Sequence, residues 1–263
     1  MIIYFSGTGN CLAIARHIAQ ALDEPVMPLV NAVSNDLTAE KRIGLVYPSY
    51  DFNMPPAVRN LIPRLRLNPQ AYIFAVIPCG AQAGNSIWTL RRMLREQGLT
   101  LAYSHKIRVP DNSAIVFSRN PNDQQWKFQR FDGRLRQIIA DVKDARHAHH
   151  FSTWSLIAWL MARPRMEAWM LRTFRRVVNE DKCIGCGICA RVCPMRNIVI
   201  TDRESPTPDG RKHLVAIGPH CTACLGCVHS CPQQAVEVNG LPTLKDRQYR
   251  HPQVLLKDLL LRR

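Results

Sequence analysis

The chain has 263 residues, 46% of them apolar and 21% charged; this suffices for two modest domains with buried cores and excludes a wholly disordered chain. Its 35 basic and 20 acidic residues leave a net +15, distributed as +5 over each of residues 1–110, 111–182 and 183–263; a nucleic-acid binder concentrates such charge on one stripe or tail, so no nucleic-acid partner is expected. Met1-Ile2-Ile3-Tyr4-Phe5 lacks the basic start of a signal peptide, and the longest apolar stretch, residues 154–162, is far short of the roughly 20 residues a membrane span takes, so a cytoplasmic chain without a transmembrane segment is expected.

Short apolar runs at residues 2–6, 25–29, 42–47, 71–78 and 99–109 are predicted as strands. Between them Leu12, Ala15, Ile18 and Leu22, and later Ile87, Leu90, Met93 and Leu94, recur at steps of three and four, which places each set on one helix face. A further helix is predicted over residues 123–148. This alternation predicts an α/β fold, a doubly wound parallel sheet, over residues 1–150. Residues 151–181 form a helical connector, rich through 151–178 in Trp154, Trp159, Trp169 and the basic cluster Arg172, Arg175, Arg176, with Pro164 as a break. Contact of this segment with a membrane surface or a partner is an alternative to simple packing. Residues 182–240 are cysteine-rich. The tail, 241–263, carries Val254, Leu255, Leu256, Leu259 and Leu260 in the pattern of a short helix folded back onto a domain.

Only Cys11 and Cys79 lie in the first 182 residues; the other eight of the ten cysteines fall between 183 and 231. They form two copies of C-x2-C-x2-C-x3-C-P: Cys183, Cys186, Cys189, Cys193 and Pro194, then Cys221, Cys224, Cys227, Cys231 and Pro232. Disulfide scaffolds belong to short secreted chains. Zinc sites pair two CxxC hairpins and have no use for the third and fourth cysteines at these spacings. Three close cysteines wrap three irons of a cubane, and small residues (Gly185, Gly187, Ala223, Gly226) let the backbone curl around it. In bacterial two-cluster ferredoxins, which this segment resembles, the fourth cysteine ligates the other cluster. Cys183, Cys186, Cys189 and Cys231 are therefore assigned to one [4Fe–4S] cluster, and Cys193, Cys221, Cys224 and Cys227 to a second. The segment resembles bacterial two-cluster ferredoxins, an α+β module, apart from a long link between Cys193 and Cys221 in which residues 202–212 look like a polar hairpin insertion.

Ser6-Gly7-Thr8-Gly9-Asn10-Cys11 follows the first strand and opens the first helix, a place where backbone N–H groups meet an anion. A dinucleotide fingerprint needs a third glycine where Leu12 stands, and a Walker loop needs Gly-Lys-Ser/Thr, so a mononucleotide phosphate fits best. This stretch resembles the FMN-phosphate loop of flavodoxins, with Ser6 and Cys11 in place of threonines. That resemblance implies two flavin-ring loops after the third and fourth strands: Pro48, Ser49, Tyr50, Asp51, Phe52, Asn53 with Met54 and Pro55, and Cys79, Gly80, Ala81, Gln82, Ala83, Gly84, Asn85. Tyr50 or Phe52 would stack on the ring. The order of the parts, with Arg250-His251-Pro252 in the tail, resembles the flavodoxin–ferredoxin fusion proteins of anaerobes.

These residues imply an electron-transfer protein with two [4Fe–4S] clusters and FMN, and redox partner proteins that are acidic if the +15 surface docks them. No acid–base pair or nucleophile constellation stands out, so no catalytic residue is assigned. Two alternatives are a flavin-dependent reductase of a quinone or small molecule, and a flavin-free iron–sulfur binding or sensing protein. His17, His105, His147, His149 and His150 are read as structural, whereas His220 or His229 is placed to hydrogen-bond a cluster sulfur.

Overall fold

The computed structural model describes residues 1–117, 119–150, 164–173, 175–202, 213–239 and 245–261. They form two compact units that interleave in sequence. One holds Met1–Ser6, Asn10–Asp111 and Gln124–Glu167; the other holds Gly7–Gly9, Asn112–Asp123 and Ala168–Arg263.

The first unit is built on β1 (Ile2–Tyr4), β2 (Val26–Pro28), β3 (Asp36–Leu37), β4 (Arg42–Val46), β5 (Arg66–Leu67), β6 (Tyr72–Cys79), β7 (Leu101–Arg108) and β8 (Ala148–His149). Six strands make one sheet in the order β2-β1-β4-β6-β7-β8, every pair parallel, and β3 and β5 form a small parallel pair apart from it. From β1 the chain steps outward to β2 on one side and to β4, β6 and β7 on the other. This is the flavodoxin-like order, whose reversal at β1/β4 marks where ligands bind, beyond the strands' carboxyl ends. Its helices include α1 (Asn10–Leu22), α2 (Leu29–Ala32), α3 (Pro56–Leu61), α4 (Ser86–Glu96) and α5 (Phe131–Lys143). The helix-face pattern is realised in the core: Ile14, Ala15 and Ile18 of α1 and Leu135, Ile138 and Val142 of α5 pack with Val46, Phe74, Val76 and Tyr103 of the sheet. Each such aliphatic side chain contributes about 1.5–3 kcal/mol by its burial. Tyr103 brings a hydroxyl inside and satisfies it by donating to Asp141 Oδ2 at 3.0 Å.

Two departures from the sequence reading lie here. The single helix expected over residues 123–148 is a 3-10 stretch, Pro121–Arg130, followed by α5. Ala145 then adopts a left-handed φ of 48° and the Arg146 N–H returns to the Asp141 carbonyl at 2.9 Å, which closes the helix and frees Ala148–His149 to extend the sheet beside β7.

In the second unit β9 (Arg176–Val178) pairs antiparallel with β12 (Val236–Val238), and β10 (Ile198–Asp202) with β11 (His213–Ile217). The insertion expected at 202–212 is thus entered and left by a hairpin; residues 203–212 lie outside the described residues. So do 151–163, with Trp154 and Trp159. The break expected at Pro164 borders those residues; from Pro164 on, the described chain is the helix Pro164–Thr173. Arg176 proves to be a strand residue, not a helical one. The tail turns once as the helix Leu256–Leu259, with Val254 and Leu259 buried and the Leu261 N–H held by the Arg191 carbonyl at 2.9 Å. Among the described residues no helix is long and apolar enough to cross a membrane.

Candidate functional site

The cysteines gather as two sets of four. Cys183, Cys186, Cys189 and Cys231 line one cavity together with Val178, Ile184 and Val236. Cys193, Cys221, Cys224 and Cys227 line another with Arg176, Ile217 and Leu225. Each cavity therefore takes three cysteines from one run and the fourth from the other. All eight are free thiols. Among the described residues no three His, Cys, Asp or Glu side chains converge on a single ion.

The backbone repeats as the sequence does. Gly185 (φ 68°) and Gly187 (φ 76°) correspond to Ala223 (φ 58°) and Leu225 (φ 59°), and Arg196 (φ 50°) to Gln234 (φ 49°). The left-handed residues of the second run are thus Ala223 and Leu225 rather than Gly226. Gly226 answers a different need: a Cβ there would sit 2.8 Å from the Gly7 carbonyl oxygen. The fourth cysteine of each run accepts a backbone N–H four residues on, Asn197 to Cys193 Sγ at 3.4 Å and Ala235 to Cys231 Sγ at 3.2 Å. Burial pushes the free thiols up, Cys189 to about 11 and Cys224 to about 12, so loading the site must release protons.

Sequence reasoning missed Arg176. It opens β9 in register with Val238 and is 9% exposed, and its Nε and Nη1 are buried with no hydrogen-bond partner among the described residues. His229 is not a sulfur donor: its Nδ1 accepts the Tyr249 N–H at 3.0 Å and its Nε2 faces the Asn112 carbonyl at 3.0 Å. The His220 ring lies exposed.

The residues of the expected phosphate loop are used in several ways. Within the second unit a Cβ on Gly7 would stand 2.5 Å from the Cys224 carbonyl oxygen, and one on Gly9 3.0 Å from Val254. The Thr8 carbonyl accepts the His251 N–H at 3.0 Å. Asn112 Nδ2 donates to Thr8 Oγ1 at 3.3 Å and to the Cys224 carbonyl at 3.0 Å. The glycine faces at 7 and 9 are therefore covered by protein. In the first unit Ser6 is buried, Asn10 Nδ2 donates to the Pro110 carbonyl at 3.0 Å, and Cys11 turns into the hydrophobic core, where burial raises its thiol.

The two ring loops, both in the first unit, are joined to each other. Tyr50 and Asn53 exchange backbone hydrogen bonds of 2.8 Å across a tight turn in which Asp51 (φ 44°) and Phe52 (φ 59°) are left-handed. The Phe52 carbonyl accepts the Asn85 N–H at 2.7 Å, and a Cβ on Gly84 (φ 54°) would stand 1.9 Å from that oxygen. Ser49 Oγ donates to the Ala83 carbonyl at 3.1 Å. Gly80 is closed in by Asp111, and its carbonyl accepts Lys127 Nζ at 2.7 Å. Cys79 is buried, its thiol pushed up to about 11, while Pro48 is half-buried and Ala81 exposed. Asp51 Oδ2 is buried with no partner among the described residues. Burial, and then the Asp111 carboxylate, hold its carboxyl above the ordinary range. An acceptor left open at the carboxyl ends of β4 and β6 fits a ligand that donates an N–H, as a flavin ring does.

Because the folded value is raised, Asp51 adds stability below its unfolded value and loses it as pH rises through the folded one. Asp51→Asn keeps a residue that tolerates positive φ and removes the charge. Without ligand it is expected to raise the urea midpoint at pH 7 relative to the native chain, with the gain fading at pH 4; an equal gain at both would sink the assignment.

The model of a 4Fe-4S dicluster domain matches residues 182–235. Ferredoxin-3 of Nostoc sp. is 30% identical over 78 residues, 26% of this chain and 80% of that protein. An uncharacterized ferredoxin of Methanocaldococcus jannaschii is 32% identical over 71 residues, 27% of this chain and 86% of its own length. The methylamine utilization ferredoxin-type protein MauM of Methylobacillus flagellatus is 30% identical over 84 residues, 30% of this chain, but only 36% of that protein is spanned. Among solved structures, a flavodoxin from the domain Archaea aligns with 51% of this chain and 96% of its own, at 15% identity and a TM-score of 0.36. The paired cysteine runs, the dicluster-domain match and the two ferredoxins spanned over most of their length carry the conclusion that the chain belongs to the ferredoxins with a 4Fe-4S dicluster domain, joined here to an N-terminal half whose sheet has the flavodoxin-like strand order.

Proposed function

We propose that the protein passes electrons between two [4Fe–4S] clusters and a bound FMN in anaerobic metabolism. The observation that carries this reading is the pair of cavities, each with four thiols contributed three and one by the two runs. On this reading Cys183, Cys186, Cys189 and Cys231 hold one cluster, and Cys193, Cys221, Cys224 and Cys227 the other. The clusters exchange single electrons, and FMN, when bound, supplies a centre that takes two and exchanges them singly. With FMN bound, Asp51 Oδ2 would accept an N–H of the flavin ring, and Tyr50, half-buried in the same turn, would be the aromatic to stack on it. The partners are redox proteins, and an acidic docking face on them complements the +15 charge.

The covered faces of Gly7 and Gly9 favour a second reading, in which the N-terminal half holds no flavin and serves the clusters as a partner-docking domain. Iron and released flavin per chain, measured on anaerobically purified protein, separate the two. About eight irons with close to one FMN supports the wire. Eight irons with no flavin, even after incubation with FMN, leaves a two-cluster ferredoxin with a flavin-free domain. Fewer than five irons overturns the two-cluster reading itself.

A further inference from the structure

Arg176 is a permanently charged group, and no salt bridge to it is found among the described residues. It is 9% exposed, and the two buried N–H-bearing atoms Nε and Nη1 lack a partner among the described residues. A buried cation left with unmade hydrogen bonds is strongly unfavourable unless something answers it. Arg176 forms part of the wall around Cys193, Cys221, Cys224 and Cys227. Its position is fixed through the backbone: Arg176 is in register with Val238, and the neighbouring Arg175 carbonyl accepts the Asn239 N–H at 2.7 Å. The other cavity is walled by Val178, Ile184, Ile188, Val215 and Val236, and among the described residues no charged one lines it.

A cubane with four thiolates carries about −2 when oxidised and gains one more negative charge on reduction. A fixed cation and N–H donors to sulfur both favour the reduced form. Solvent exposure alone orders the two sites the other way, because Cys186 is exposed while Cys224 and Cys227 are buried. The order of reduction therefore reports directly on the arginine. Resting on the two-cluster reading above, we propose that Arg176 donates N–H groups to the cluster held by Cys193, Cys221, Cys224 and Cys227 and makes it the first of the two to accept an electron. The step is a one-electron reduction of that cluster by an external low-potential donor, with no bond broken and no proton required.

The test is a redox titration of the full chain followed by electron paramagnetic resonance, with Cys183→Ala used to identify which signal belongs to the Arg176 side. The native chain should show two resolved midpoints, the higher one surviving in Cys183→Ala. In Arg176→Met the higher midpoint should drop. At the potential where that cluster is half-reduced in the native chain, its reduced-to-oxidised ratio should fall about tenfold, which is about 59 mV for one electron. Arg176→Lys, which keeps the charge but not the fork, should recover part of the drop. Iron content near eight in the native chain shows that the two-cluster reading stands, so a failure can be assigned. The proposal is overturned if the Cys183-side cluster is reduced first, if both variants keep eight irons with unchanged midpoints, or if both lose half their iron, which makes Arg176 a holding residue instead.

Discussion

Replacing Cys231 by alanine should empty the cavity that also contains Cys183, Cys186 and Cys189, and leave intact the cluster held by the run in which Cys231 itself lies. Iron is expected to fall from about eight to about four per chain. The remaining signal should match that of Cys183→Ala and differ from that of Cys224→Ala. The double variant Cys183→Ala/Cys231→Ala should lose no more iron than either single one, since groups acting on one centre are not additive. A Cys231→Ala spectrum matching Cys224→Ala would mean that each run closes its own cluster, against the cavities in which Cys231 stands with the first run and Cys193 with the second.

Gly7→Ala should loosen the second cluster without touching a cysteine. The added Cβ meets the Cys224 carbonyl oxygen at 2.5 Å and the Cys224 Cβ at 3.1 Å. The first of these neighbours is backbone, which has no rotamer to yield. Overpacking of this kind costs about 1–3 kcal/mol, and here it falls on the loop that presents Cys224 and Cys227. Loss of about half the iron on mild chelator treatment, faster than in the native chain, is the expected result. Gly133→Ala is the control: nothing stands within 4 Å of its Cβ, and within α5 it should gain up to about 1 kcal/mol. Equal iron retention in the two variants would refute the packing argument.

The strands and their parallel order were legible because short apolar runs alternated with amphipathic stretches, and β1, β2, β4, β6 and β7 fall within or close to the expected runs. The cysteine sets were legible because their chemistry is carried by spacing. Arg176 was not, for two physical reasons. It stands in a run of arginines whose composition reads as surface, and a three-residue strand has no periodicity to announce which side chain turns inward. His229 looked like a sulfur donor by its position between cluster cysteines, but both ring nitrogens meet backbone groups, the N–H of Tyr249 and the carbonyl of Asn112, from segments remote in sequence. The glycines at 7 and 9 were read as room for an anion; what approaches them is the chain's own Cys224, His251 and Val254. Contacts of that kind are set by tertiary packing and leave no local signature.

The placement of Gly7–Gly9 and Asn112–Asp123 in the iron–sulfur unit bears on how such a gene can be rearranged. A fusion of two self-sufficient modules can be undone by one break between them. Here a break anywhere between Gly9 and Ala168 leaves the cysteine module without Gly7, whose backbone abuts Gly226, and a break after Asp123 also removes Asn112, which holds the Cys224 carbonyl. The cysteine module expressed alone, from Ala168 onward, would therefore lack the residues that pack on Gly226 and bind the Cys224 carbonyl.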